Sequence, residues 1–267
     1  ATIYSRLKLA PSLTDKQLDE LINDRSGKLK LTAEEALWLK AHPKLTFTGD
    51  PHWLPYEAFD ENGHYIGIVA DYLSRIEQIL GIKLTIIPTQ SWVESFDKAE
   101  QGKVDIISET VGSELTKVMG FTQSYLSSPV VIIMLKDEPF VDNIGQIANR
   151  KIALIKDYGY VHAITGKYPE LNVHWVNTIE EGLTAVSTGQ ADVLLSTLAH
   201  SIYKMSNKDL NNIRIVGKTE FTNDLAFGVQ KKLSPLIPLF NRAIDSISEA
   251  DKQSIANAWG EEKYTEK

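Results

Sequence analysis

Hydrophobic and polar positions alternate along most of the chain in two recurring patterns. Short apolar runs such as KLTFT, KLTIIP and VDIIS are typical of buried strands, whereas IVADYLSRIEQIL and WVESFDKAEQG carry apolar residues at helical spacing. Gly81 and Gly102 follow these two segments, where the C-caps of helices are expected. Strands that alternate with helices predict an α/β protein with a parallel sheet and covering helices.

The same alternation starts again after Tyr125. The strand patterns SSPVVIIML, KIALIK, VHWV and ADVLLS are followed by LAFGVQKK and a helical tail, SPLIPLFNRAIDSISEADKQSIANAW. If that tail returns to the first unit, the chain crosses between two lobes near residues 125–131 and 222–227, and two crossing strands form a hinge. We therefore predict lobe 1 from residues 44–126 and 227–262, and lobe 2 from residues 127–226.

The first 43 residues differ from the rest, because TDKQLDELIND and TAEEALWLKAHP are short helical patterns with no strand between them. Thr32 can cap the second helix while Glu35 returns a hydrogen bond to the cap, and Pro43 ends the pattern. We predict a helical N-terminal extension over residues 1–43.

Composition and charge exclude several classes of protein. The chain has 267 residues, a net charge of −7 and no basic stripe, so we expect no nucleic-acid partner. It has no cysteine, and its longest strictly apolar run, Val130 to Leu135, is far short of the roughly 20 residues that cross a bilayer. The six histidines lack metal-ligand spacing, and no phosphate loop or nucleophile elbow occurs. We therefore expect no catalytic residue, no metal and no cofactor.

The ordered segments GDPHWLPYEAFDENGHYIGIVADYL, GIKLTIIP, WVESFDKAEQGKVDIIS, MGFTQSYLSSPVVIIM, GLTAVSTGQADVLLS and LAFGVQ resemble the type II periplasmic solute-binding proteins, bacterial family 3. The resemblance covers about residues 31–259. LTAEEALWLKAHP resembles the leader of Venus-flytrap sensor domains in bacterial membrane receptors, namely histidine kinases of two-component systems and diguanylate cyclases.

This resemblance implies an α/β, two-lobed Venus flytrap of the type II periplasmic binding protein kind, with a two-strand hinge. It implies a periplasmic or otherwise extracytoplasmic domain, anchored to the membrane in the full-length protein, that binds a small molecule and signals by lobe closure. A homodimer is left open. The alternatives are a free solute-binding protein of an ABC uptake system for amines, amino acids or related small polar solutes, an enzyme acting on small ring acids, and a module that works with an empty cleft.

By match to the family pattern, the candidate ligand-binding residues lie at strand ends and helix starts that face one cleft. Those of lobe 1 are Asp50, Trp53, Tyr56, Trp92, Ser108, Glu109 and Thr110. Those of lobe 2 and the second crossing are Asp157, Tyr158, Tyr160, Ser196, Thr197 and Asp224.

Two departures from the family pattern bear on the ligand. In amino-acid binders of the family an Arg that grips the carboxylate stands six residues before the Phe of FT-x-x-Y, and that position is Leu115 here. The acidic residue that takes the amine is replaced by Thr197. Glu109 and Asp50 beside aromatic side chains suit an amine or other cation instead. The rival interpretations are that Glu109 pairs with Lys117, and that the helix start in KDYGYV binds a carboxylate.

Overall fold

The computed structural model describes residues 29–206 and 210–259, so the TDKQLDELIND segment lies outside the described residues. The helices are α1 (Ala33–Ala41), α2 (Ile68–Leu80), α3 (Trp92–Glu100), α4 (Gly159–Lys167), α5 (Ile179–Ser187), α6 (Leu198–Ser206), α7 (Leu236–Ser246) and α8 (Glu249–Ala258). The strands are β1 (Thr46–Thr48), β2 (His52–Trp53), β3 (Glu57–Phe59), β4 (Tyr65–Ile66), β5 (Thr85–Ile86), β6 (Ile106–Thr110), β7 (Met119–Phe121), β8 (Leu126–Leu135), β9 (Lys151–Ile155), β10 (Asn172–Val176), β11 (Val193–Thr197) and β12 (Ile213–Gln230).

The predicted start of helix α1 is confirmed. The Thr32 hydroxyl accepts a hydrogen bond from the Glu35 N–H at 3.1 Å, and the Glu35 carboxylate accepts one from the Thr32 N–H at 3.0 Å. The Glu35 carboxylate also pairs with Arg242 of helix α7 at 2.5 Å. The pair with Arg242 holds α1 against helix α7.

The main sheet has the strand order β10-β9-β11-β8-β12-β6-β1-β5, with β7 paired to β12. Its two outer parts are parallel, as predicted, but β8 and β12 are antiparallel to their neighbours. These two strands carry the chain between the two halves of the sheet in opposite directions, which makes the centre of the sheet antiparallel. A small second sheet has the order β2-β3-β4.

The crossing strands form the predicted two-strand hinge. Strand β12 is longer than LAFGVQKK suggests, because it begins at Ile213 and pairs with β8 along most of its length. At the crossing Asn223 lies opposite Ser128, and Asp224 lies opposite Ser127. Both strands run without interruption through this point, so the lobe boundaries at residues 126 and 227 stay a prediction.

Separate hydrophobic cores fill the two halves of the molecule. Phe47, Phe227 and Phe240 belong to the core around β1, β12, α2 and α7, which we call lobe 1. On strand β8 the neighbours Ile132 and Ile133 pack into different clusters on opposite faces of the β8–β11 part of the sheet, which we call lobe 2. Among the described residues no helix has the length and apolar character needed to span a membrane.

Candidate functional site

A cavity of about 510 Å³ lies between the ends of strands β1 and β6 in lobe 1 and the start of helix α4 in lobe 2. Pockets for small molecules typically enclose about 300–1,000 Å³. The predicted residues that line the cavity are Asp50, Trp53, Trp92, Ser108, Glu109, Thr110, Asp157, Tyr158 and Tyr160. The structure therefore brings most of the predicted site together in one cleft between the lobes.

Aromatic rings from both lobes form part of the cleft wall. The centroid of the Trp53 ring lies 4.4 Å from that of Tyr56 behind it and 6.2 Å from that of Tyr158 across the cleft. Trp92 begins helix α3, and its ring centroid lies 6.3 Å from that of Phe96. Aromatic faces arranged in this way attract cations as well as apolar groups.

Glu109 lies near the end of strand β6 and forms no ion pair with a described Lys or Arg. Its carboxylate accepts a hydrogen bond from the Thr110 N–H at 2.7 Å. Burial raises the pKa of Glu109 to about 7, although that hydrogen bond opposes the shift. Lys117, the alternative partner, pairs with Glu114 instead. Glu109 is therefore a partly buried carboxyl group that lines the cleft, and no described Lys or Arg neutralises it.

Two further carboxyl groups lie beside Glu109. Glu57 is 2% exposed. Its carboxyl group accepts hydrogen bonds from the Asp50 N–H, at 2.8 Å, and from the Tyr65 hydroxyl. Burial raises the pKa of Glu57 well above its usual range, and the neighbouring Asp50 raises it further. Burial also raises the pKa of Asp50, whose carboxylate accepts a hydrogen bond from the His52 N–H at 2.8 Å. The lobe 1 wall thus concentrates carboxyl groups whose raised pKa values a bound cation would lower.

The start of helix α4 forms the opposite wall. Asp157 has a φ of 67°, in the left-handed region that Asp tolerates better than most residues, and it turns the chain from β9 into α4. A Cβ atom on Gly159 would lie 2.8 Å from Cγ2 of Thr110, on lobe 1. Glycine therefore allows the helix to touch lobe 1, and the two lobes are in contact across the cleft.

Four predicted residues do not line the cavity. Tyr56 is 1% exposed and packs behind the Trp53 ring. Ser196 and Thr197 are buried at the end of β11, with exposed fractions of 0% and 2%. Asp224 accepts a hydrogen bond from the Ser127 hydroxyl at 2.5 Å across the hinge. Whether any of them affects ligand binding stays a prediction.

The structure adds residues that the sequence interpretation did not include. These are Glu57, Phe96, Val111, Gly112, Ser113, Glu114, Lys156, Gly159, His162 and Asn223. Asn223 was missed because neighbouring strand residues point to opposite faces, and only the register decides which of two polar neighbours faces the cleft. Strand β3, which begins at Glu57, has only three residues, too few for a readable alternation.

The two positions that depart from the amino-acid-binding pattern are also buried. Leu115 is 0% exposed and packs in a lobe 1 cluster with Ile107 and Met119. The site therefore lacks the Arg fork for a carboxylate, and Thr197 supplies no charge for an amine. Over residues 29–206 and 210–259, no cluster of three or more His, Cys, Asp or Glu side chains is arranged to hold a metal ion.

Comparison with known proteins identifies similar chains. A sequence model described as "Bacterial extracellular solute-binding proteins, family 3" matches residues 45–262. The virulence sensor protein BvgS of Bordetella bronchiseptica is 24% identical over 239 residues, which cover 87% of this chain and 19% of that protein. The chain thus spans about a fifth of the length of this curated relative.

Solved structures show the same fold. The periplasmic VFT2 domain of Bordetella pertussis BvgS has a TM-score of 0.74 and 22% identity, and the match covers 86% of this chain and 99% of that one. A histidine kinase sensor domain similar to periplasmic binding proteins has a TM-score of 0.67 and 18% identity, with 81% of this chain and 96% of that one covered. At these identities the likeness establishes the Venus-flytrap fold.

Proposed function

Because this chain belongs to the bacterial extracellular solute-binding proteins of family 3, we propose that it is the ligand-sensing domain of a bacterial membrane sensor and binds a small cationic molecule between its lobes. Its family places it outside the cytoplasm. The output domain that fits best is a histidine kinase, in view of the sensor relatives, with a diguanylate cyclase as the alternative. A membrane anchor and a homodimer belong to the same proposal.

The observation that carries the choice of ligand is the charge of the cleft. Asp50, Glu57 and Glu109 converge on lobe 1, and none of them forms an ion pair with a described Lys or Arg. Buried carboxylates without a partner raise the free energy of the empty site, and a bound cation would offset that cost. A cationic ligand therefore gains more from this wall than a neutral or anionic one.

Lobe 2 does not neutralise that charge. Its Lys, His and carboxylate side chains in the cleft are Lys156, Asp157 and His162, and the charges of the first two oppose each other. The backbone N–H groups at the start of α4 favour anions, which is the observation that favours a carboxylate ligand as the second candidate. The missing Arg at Leu115 weighs against a carboxylate.

Closure would connect binding to signalling. A ligand that contacts the acids of lobe 1 and Tyr158 of lobe 2 at the same time binds the closed form better than the open form, and only that difference in affinity shifts the equilibrium. In this role the domain binds the ligand and releases it unchanged. An uptake protein would use the same cleft, but the sensor relatives favour the sensing role.

The first prediction concerns Glu109. We expect primary amines such as n-butylamine, 1,4-diaminobutane or 2-phenylethylamine to raise the melting temperature, because a ligand at about 100 times its dissociation constant adds roughly 2.7 kcal/mol of stability. Glu109→Gln removes the negative charge with little change of shape and should abolish that rise. Differential scanning fluorimetry of both proteins measures it.

The matched control is Glu220→Gln, which changes a partly exposed carboxylate that pairs with Lys167 of helix α4. This variant should respond to the amines as the wild type does. An equal response of the Glu109 variant would refute the role of Glu109, and a response of the wild type to carboxylates alone would move the site to the start of α4.

A further inference from the structure

Asn223 lies at the point where strand β12 crosses between the lobes, and its side chain lines the cleft. The residue is only 3% exposed. Its ladder partner is Ser128 of the other crossing strand, so Asn223 belongs to both the hinge and the cavity wall. The neighbouring Asp224 accepts a hydrogen bond from the Ser127 hydroxyl and does not line the cavity. Asn223 is thus the hinge side chain that a ligand in the cleft can reach.

The amide group of Asn223 has hydrogen-bonding capacity to spare. Its Oδ1 atom accepts a hydrogen bond from the Thr110 hydroxyl at 3.3 Å. Its amide nitrogen carries two N–H donors, and no described residue accepts a hydrogen bond from them. The carboxyl groups of Glu109 and Asp50 also line the cavity, which favours the orientation with the N–H groups towards them.

We propose that Asn223 determines the specificity of the cleft: its amide N–H groups donate to an acceptor oxygen on the ligand. This inference rests on the proposed cationic ligand and restricts the chemical class to which that ligand belongs. The ligand is a cation that also carries a hydroxyl, carbonyl or carboxylate oxygen, rather than a simple alkylamine. A buried donor that finds no acceptor is costly, so the site selects against ligands that lack one.

The position of Asn223 also links occupancy to closure. The Thr110 hydroxyl donates a hydrogen bond to Asn223, and the Thr110 side chain lies next to Gly159 at the start of helix α4. A ligand held by the Asn223 amide therefore touches the hinge and lies next to the contact between the lobes. The same acceptor oxygen that provides specificity would favour the closed arrangement.

The test compares two amines of similar length, n-butylamine and 4-aminobutanamide, by isothermal titration of the whole chain. The wild type should bind the amide at least about tenfold more tightly, because only the amide satisfies the Asn223 donors. Asn223→Ala should reduce this ratio to about one, because the variant has no amide donors that either ligand must satisfy.

Two further variants distinguish the loss of the amide donors from a change in the structure of the hinge. Asn223→Asp keeps an acceptor for the Thr110 hydroxyl but removes the N–H donors, so the preference for the amide should again disappear. Thr222→Ala changes the exposed neighbour on the same hinge strand and should keep the preference. If Asn223→Ala fails to fold, the aspartate variant decides the question.

The inference is overturned if the wild type binds both amines equally, or if both Asn223 variants keep the preference. In either case the proposed cationic ligand survives. If neither amine binds the wild type, the proposal of a cationic ligand fails, and the inference about Asn223 fails with it. The two failures are therefore distinguishable.

Discussion

At the scale of single residues, the acids of the cleft make stability depend on pH. Glu109 has a folded-state pKa of about 7, above the value of about 4.3 for an exposed glutamate. A carboxyl group with a raised folded pKa binds its proton more tightly in the folded state, so its contribution to stability is largest in acid and declines as pH rises between these two values. Ionised Glu109 therefore destabilises the folded chain above pH 7.

The pH prediction compares Glu109→Gln with the wild type by thermal or denaturant unfolding from pH 4 to 8. The two should be nearly equal near pH 4, where Glu109 is mostly protonated in both the folded and the unfolded state. Above pH 7 the variant should be more stable by up to about 3 kcal/mol, because it never carries the buried charge. Subtracting the curves cancels groups that do not interact with Glu109, such as buried His200, whose pKa burial lowers to about 4.

Glu114→Gln provides the control for this experiment. Glu114 is exposed, and its pKa is lowered by the hydrogen bond from Lys117 and by the charge of that lysine. Its removal should produce no gain in stability at high pH. A difference between the Glu109 variant and the wild type that stays constant from pH 4 to 8 would contradict the buried, unpaired state of Glu109.

Residue by residue, the sequence predicts chemistry better than orientation. The acids and aromatics of the first loop, such as Asp50 and Trp53, line the cleft because their positions follow from the end of a strand. Asp224 and Asn223 illustrate the limit, since both are polar and adjacent, and a shift of one residue exchanges their faces. That choice depends on strand pairing, which the local sequence does not encode.

At the scale of elements, helix α4 meets lobe 1 through a glycine. Gly159→Ala would place a methyl group 2.8 Å from Thr110 Cγ2, and the short threonine side chain has little room to move because its hydroxyl bonds to Asn223. Gly159 is the first residue of helix α4 and does not have a left-handed φ, so its backbone accepts alanine and the lobe should fold normally. We predict that this variant opens the cleft, which small-angle scattering would show as a larger radius of gyration.

Gly166→Ala makes the same substitution in the same helix, where nothing lies within 4 Å of the new Cβ atom. This control should keep the dimensions of the wild type. Combining Gly159→Ala with Thr110→Ser removes the crowded methyl group and should restore part of the closure. Unchanged dimensions in the Gly159 variant would show that the contact does not limit the approach of the lobes.

The elements themselves were predictable to different degrees. Helix α1 was readable because Thr32 and Glu35 supply a capping box, a local signal. The sequence predicts strand β12 only from Leu225 onwards, because the first two thirds of the strand, IRIVGKTEFTND, interrupt apolar residues with charges. That part of the strand is defined by its pairing with β8. Long-range pairing of this kind specifies the hinge, and periodicity alone cannot show it.

At the scale of the whole molecule, both described ends of the chain are attached to lobe 1. Arg242 of α7 binds Glu35 of α1 and also donates to the Lys30 carbonyl at 2.8 Å. The Trp259 indole N–H donates to Asp71 of helix α2 at 2.9 Å. Lobe 2 is linked to this body by the two hinge strands and by the contacts across the cleft. Closure would therefore move lobe 2 against a lobe 1 that carries both ends.

The central claim is that the cleft between the lobes binds a cation. Isothermal titration with 2-phenylethylamine and 3-phenylpropanoate tests it most directly, because the two molecules have similar aromatic skeletons and opposite charges. The acidic wall formed by Asp50, Glu57 and Glu109 predicts binding of the amine and no detectable binding of the carboxylate. Binding of 3-phenylpropanoate without binding of the amine would contradict the account.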